Sequence, residues 1–186
     1  MSQVLDRPIA APDTASTAVG SADRYPIRPL QTDDVERIWR FYDRLSARTV
    51  YRRFFTGGRP SVAELRRLFD AAPGAREVLV ALSGDEVVGL AEYAGARARP
   101  DLVEIGVVVA DAWQRRGIGL RLVRALLQRA AARGAVAVQA DTLPENYPVA
   151  CLLRRLWPDA RPQLDDQVHT WCMPVGPALH APTDAA

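Results

Sequence analysis

The chain has 186 residues, 48% hydrophobic and 25% charged, with a formal net charge of +2. That length supports one domain with a full core, and the balanced charge gives no reason to expect bulk attraction to nucleic acid or a membrane surface. All 24 basic residues are arginine; lacking lysine, the protein has no internal ε-amine to modify.

Two cysteines, Cys151 and Cys172, are too few for a disulfide framework or a metal-ligand cluster, and read as buried or half-buried free thiols. No run approaches the ~20 apolar residues needed to span a bilayer, and the N-terminus lacks a signal-peptide core. A cytoplasmic location is the default expectation.

Residues 1–23 are rich in Ala, Ser, Thr, Pro and Asp without a sustained period, and read as a flexible leader. Order is expected from residue 24, with a short edge strand at Tyr25–Leu30, where prolines are tolerated. Thr32 then caps a helix with Asp33, Asp34 and Glu36 in its first turn and an apolar stripe of Val35, Ile38, Trp39, Tyr42 and Leu45. Ser46–Phe55 reads as a second helix. Ser61 and Glu64 form a capping box opening a third, through about Ala72, with Val62, Leu65, Leu68 and Phe69 as its apolar face. The Arg52-Arg53 and Arg66-Arg67 pairs read as solvated helix faces.

Strands follow at Arg76–Leu82 and Val87–Ala94, joined by the hairpin signal Ser83-Gly84-Asp85-Glu86, and Gly95–Pro100 reads as a polar loop. The β-branched run from Leu102 to Val109 is the central strand, followed by a long helix that Gly134 stops. Ala135–Asp141 reads as an interior strand apolar on both sides. Another helix begins at Asn146-Tyr147-Pro148, with Asn146 as cap, and ends before Trp157-Pro158. Strands at Arg161–Leu164 and Gln167–Met173 complete the domain, at about residue 175. Residues 176–186 read as a second flexible tail. His169, in the last strand, and His180, in the tail, read as structural or solvated.

This order predicts an α+β fold in which helices cover a mixed, mostly antiparallel sheet. The informative point is the junction after the central strand, Gln114-Arg115-Arg116-Gly117-Ile118-Gly119-Leu120. A helix start carries unpaired N–H groups and partial positive charge, two glycines permit close approach to the backbone, and two arginines add charge. Together they predict a phosphate cradle. It lacks the Lys-Ser/Thr of a Walker loop and the third glycine of the dinucleotide fingerprint.

The spacing Gln114-x-x-Gly117-x-Gly119 after an apolar strand resembles the coenzyme-A motif of the GNAT superfamily of acyl-CoA-dependent N-acyltransferases, and the order of elements matches over residues 24–175. Ile27-Arg28-Pro29-Leu30, Leu45-Ser46-Ala47-Arg48 with Arg53-Phe54-Phe55, Val103-Glu104-Ile105 and Leu143-Pro144-Glu145-Asn146 resemble the actinobacterial protein-lysine-acetyltransferase branch. The resemblance implies acetyl-CoA as co-substrate, a primary amine as acceptor, with a protein lysine as the branch's example, and no metal. It also implies that the central strand splays from its neighbour. Val107, Val108 and Val109 would then offer backbone groups to the pantetheine arm and the oxyanion, and Asn146 would contact the cofactor or a bridging water.

An amine must lose a proton before it attacks, and Glu104 is the one acidic residue within the apolar central run. It matches the branch's general base, and its apolar neighbours predict a carboxyl raised by desolvation. Many relatives carry a Tyr about seven residues after the Asn as acid for the leaving thiolate; Leu153 stands there instead, so no general acid is assigned. That departure motivates the alternative, a non-catalytic acyl-CoA-sensing regulatory domain. Oligomeric state and acyl-chain preference have no signature in the sequence.

Overall fold

The computed structural model describes residues 24–55, 58, 60–66, 68–69, 76–96 and 99–176. The leader, His180 and nearly all of the expected tail lie outside them. Strands β1 (Ile27–Pro29), β2 (Arg76–Ser83), β3 (Glu86–Ala96), β4 (Arg99–Val109), β5 (Ala137–Thr142), β6 (Gln163–Asp165) and β7 (Val168–Pro174) form one sheet in the order β1-β2-β3-β4-β5-β7-β6. Every neighbouring pair is antiparallel except β4–β5. The mixed, mostly antiparallel sheet matches the expected architecture.

Helices α1 (Val35–Asp43), α2 (Ala47–Phe54) and α3 (Val62–Arg66) cover one face; α4 (Ile118–Ala132) and α5 (Tyr147–Leu156) cover the other. Alternation along β4 sorts its side chains accordingly: Val103, Ile105, Val107 and Val109 pack toward α4, and Val108 toward α1. Gly84 turns the β2–β3 hairpin with φ +59, the conformation needed at the first central position of a two-residue turn. Gly89 on β3 lets α4 sit close, since a Cβ there would stand 2.9 Å from a Leu122 methyl.

Several expectations need correction. Thr32 does not cap α1: a 3-10 turn at Thr32–Asp34 comes first, and the Asp34 carboxylate accepts from the Gln31 N–H at 2.9 Å. A longer side chain reaching back displaces the Thr from that role. Val35, expected in the stripe, is exposed, and Phe41 is buried in its place. Val62 is likewise exposed, and α3 ends at Arg66, with Leu68 and Phe69 in a turn and residues 70–75 outside the described set. The presumed loop at Gly95–Pro100 is mostly strand, because β3 runs to Ala96 and β4 starts at Arg99. On β5, which starts at Ala137 rather than Ala135, Val138, Ala140 and Thr142 are buried while Asp141 is exposed, so one side only is core. Both thiols are exposed. Cys172 alternates with the core residues Trp171 and Met173, and Cys151 lies on the outer side of α5.

Arginine forks fasten the elements. Asp34, fully buried, accepts from Arg28 at 2.6 and 2.7 Å and from Arg37 at 3.1 Å, tying edge strand β1 to α1. Glu77 on β2 accepts from Arg129 of α4, from Arg133 just past its end, and from the Tyr93 hydroxyl at 3.3 Å. The Arg28 hydrogen bonds, together with the Gln31 N–H, Arg37 and the arginine charge, outweigh burial and lower the Asp34 carboxyl from 3.8 to about 2. A carboxylate with a depressed folded-state value stabilises the fold above its unfolded value and loses that contribution as pH falls through the folded one. Asp34→Asn is therefore expected to cost about 2–3 kcal/mol at pH 7. The gap from wild type should close between roughly pH 4 and pH 2, as measured by urea unfolding across pH.

Candidate active site

The site arises where β4 and β5 part. Their ladder pairs Leu102 with Ala137, Val103 with Val138 and Glu104 with Gln139, and then stops, although β4 continues to Val109 and β5 to Thr142. The Ala110 N–H bonds to Val88 on β3 at 2.9 Å. By alternation, the N–H groups of Gly106 and Val108 also face β3, while those of Val107 and Val109 face the opened side. Of the three valines expected to offer backbone groups, Val107 and Val109 are turned to the cleft and Val108 to the ladder.

The cleft holds a cavity of about 200 Å³ lined by Glu104, Gly106, Val107, Asp141, Asn146 and Leu153, among others. Glu104 reaches it from the α1–α2 face of the sheet and is exposed, not enclosed as its apolar neighbours suggested. Those neighbours are strand-adjacent and point to the opposite face, so sequence proximity does not translate into enclosure. One row crosses this face: Ala94 on β3, Glu104, Gln139 on β5 and Cys172 on β7 stand opposite one another in register.

At the start of α4, Gly117 takes φ +74 and Arg115 φ +63. The first turn-closing bond runs from the Arg121 N–H to the Gly117 carbonyl at 3.1 Å. The N–H groups of Gly117, Ile118, Gly119 and Leu120 precede it and have no partner within the helix. Gly119 packs against α5, where a Cβ would meet a Leu152 methyl at 3.2 Å. Arg115 is exposed, and Arg116 donates to the Tyr25 hydroxyl at 3.1 Å. The Gln114 amide braces the loop by donating to the Val109 carbonyl at 3.0 Å and the Thr49 hydroxyl at 3.3 Å.

Asn146 precedes α5, but its side chain makes no capping bond; it is buried and lines the cavity. Tyr147 is 70% exposed and outside the lining, whereas Leu153 is buried within it. Cys151, Cys172 and His169 are not among the lining residues.

Several contributors escaped the sequence reading. Arg53, read as part of a solvated face, lies across Gly106 and ion-pairs with Glu92 on β3 at 2.5 Å; Arg76 reaches the other oxygen at 3.2 Å. Gly106 makes that crossing possible, because a Cβ there would stand 2.3 Å from the Arg53 guanidinium. Beneath the cluster, burial pushes the Tyr42 hydroxyl up to about 12, so it stays protonated. Asp111 accepts from the Ser46 N–H at 3.0 Å, the Ser46 hydroxyl at 2.7 Å and the Thr49 hydroxyl at 2.8 Å. Partial burial alone would raise its carboxyl, but these donors more than offset that and hold it below the ordinary value. The signal available in the sequence is the Ser46/Thr49 spacing at a helix start.

A parted strand pair ahead of an unpaired helix start is the architecture of one acyltransferase family, and the model of the acetyltransferase (GNAT) family matches residues 37–156. The chain belongs to the GNAT family. The acetyltransferase Pat of Mycolicibacterium smegmatis is 29% identical over 140 residues, covering 74% of this chain and 42% of the relative, so the chain spans less than half of that protein's length. The GNAT domain of S. lividans PAT superposes with a TM-score of 0.73 at 26% identity, covering 81% of this chain and 90% of that domain. A cAMP-binding acyltransferase from Mycobacterium smegmatis superposes with a TM-score of 0.57 at 26% identity, covering 86% of this chain and 46% of that one.

In this GNAT domain, Gly117→Ala is expected to lower stability by roughly 1 kcal/mol, because a Cβ is disfavoured at positive φ. With nothing within 4 Å of that Cβ, the effect is one of backbone conformation. Coenzyme A affinity should fall several-fold with it, as read by calorimetry and thermal melting on the same samples.

Proposed function

We propose that this chain transfers an acetyl group from acetyl-CoA to a primary amine by direct attack, with Glu104 as general base. The observation that carries this reading is the opening of the β4–β5 ladder just past Glu104, which leaves a cavity lined by that carboxylate and by Val107, whose N–H, like that of Val109, faces the opened side. The coenzyme's diphosphate would lie on the N–H groups of Gly117, Ile118, Gly119 and Leu120, with Arg115 and Arg116 adding charge and Gln114 bracing the loop. Its pantetheine amides would continue the ladder that β5 leaves, and Asn146 would contact the cofactor or a bridging water. A solved relative of the same fold from Sinorhizobium meliloti, at 21% identity, is described as a complex with AcCoA.

The chemistry then follows. Glu104, directly or through water, takes a proton from the ammonium, whose unperturbed value is near 10.4 for lysine. The freed lone pair attacks the thioester carbonyl, and an N–H of Val107 or Val109 stabilises the oxyanion. The carbon–sulfur bond breaks, coenzyme A leaves as a thiolate, and the second proton shed by the nitrogen as the amide forms passes to that thiolate or to solvent. With a thiol of about 8.5, that group departs tolerably without an acid, which suits a site that has Leu153 where a Tyr would stand. Direct transfer needs no acyl-enzyme and no metal. A protein lysine is the acceptor favoured by resemblance to the actinobacterial branch.

The second reading, an acyl-CoA sensor without turnover, draws on Leu153 and on the outward direction of Tyr147. The two part in one experiment. Glu104→Gln is expected to reduce kcat/KM for amine by about 10²–10⁴ at neutral pH while leaving coenzyme A affinity within two-fold. Free-thiol release on an amine panel, with calorimetry alongside, measures both. Binding without any turnover by the wild-type protein would favour the sensor.

A further inference from the structure

The Asp111 network joins the first residue of the cradle motif to the N-terminal end of helix α2, whose other end lines the Glu104 cavity. At its N-terminal end, Ser46 and Thr49 are held by Asp111, and the same Thr49 hydroxyl accepts from Gln114, the first residue of the cradle motif. Gln114 is in turn fixed to the end of β4 through the Val109 carbonyl. About 12 Å along the helix, at its other end, Arg53 is clamped over Gly106 to Glu92. Arg52 reaches the opposite wall of the cleft, donating to the Glu145 carbonyl at 3.3 Å. Phe55 closes the helix in a left-handed conformation, φ +58, and lines the cavity with Arg52 and Arg53. A bulky residue held at that φ stores roughly 1 kcal/mol, which persists only where surrounding contacts impose it.

We propose that Asp111 is a positioning residue which, with Thr49 and Gln114, transmits occupancy of the diphosphate cradle along α2 to the acceptor wall formed by Arg52, Arg53 and Phe55. The proposal rests on the reading of the Glu104 cleft as an acetyl-transfer site, and it assigns a task to the Ser46-x-x-Thr49 spacing that neither the base nor the cradle uses. Anything that seats the loop from Asp111 to Gln114 more firmly also seats the N-terminus of α2. A helix pinned at both ends moves as a unit. Neither Asp111 nor Thr49 lines the cavity; Thr49 meets the cradle through Gln114, and α2 is what carries the network on to the cavity wall.

Hydrogen exchange on the full chain with saturating coenzyme A tests the coupling. In the wild type, the nucleotide is expected to slow exchange of the α2 amides at least ten-fold along with those opening α4. In Asp111→Ala and Thr49→Val, protection should stay at α4 and vanish from α2, with the calorimetric Kd for coenzyme A within three-fold of wild type. In the same variants kcat/KM for amine should fall at least ten-fold, chiefly through KM for the amine, and Thr49→Ser, which keeps the hydroxyl, should recover to within three-fold. Should Asp111→Ala fail to fold, Thr49→Val and Thr49→Ser carry the comparison. Unchanged α2 exchange in the liganded wild type, or equal α2 protection in Thr49→Val, overturns the coupling while leaving the acetyl-transfer reading intact. A wild-type chain that neither binds coenzyme A nor turns over amine overturns both.

Discussion

A parallel ladder that ends after three residue pairs is the constraint on which the rest of the molecule depends. Backbone groups left unpaired away from water are costly, so a sheet opens in its middle only if both edges are held elsewhere and the gap has a use. β3 holds the far side of β4 over almost its whole length, and β7 does the same for β5. From the α4–α5 face, Val123, Val149 and Leu153 line the gap. The cleft is therefore a permanent part of the fold, kept open by packing on one face and by the α2 clamp on the other.

The same device recurs around it. Asp34, Glu77 and Glu92 each pair with two arginines, and between them they fasten β1 to α1, β2 to α4 and β3 to α2. A planar guanidinium can hold a carboxylate through two donors and does not deprotonate in the working range, which suits a chain whose cations are all arginine. Such pairs contribute orientation more than net stability, since taking charges out of water offsets much of their attraction. Here orientation is what matters, because each cluster fixes a helix relative to a strand of the sheet.

Local chemistry made much of this legible beforehand. The β-branched run, the Gly117 and Gly119 spacing and Gly134 place β4, the cradle and the end of α4 without knowledge of any distant contact. The hairpin at Gly84 was equally plain. Legibility failed where the deciding partner is remote in the chain. Arg53 read as a solvated cation because Glu92 lies thirty-nine positions away. The role of Asp111 depends on a helix sixty-five positions earlier. The enclosure expected of Glu104 failed for a different reason: in a strand, the next residue points to the other face, so an apolar run says nothing about what surrounds its one acid. Thr32 falls inside a 3-10 turn that the Asp34 carboxylate closes back onto the Gln31 N–H, while Arg28 and Arg37 hold that carboxylate in place.

Gly106 ties two distant positions into one unit of inheritance. Any side chain there would evict the Arg53 guanidinium, and any shorter residue at 53 would remove the reason for a bare strand at 106. Substitutions at the two sites are therefore coupled: a side chain at 106 and a guanidinium laid across the strand from 53 compete for the same space.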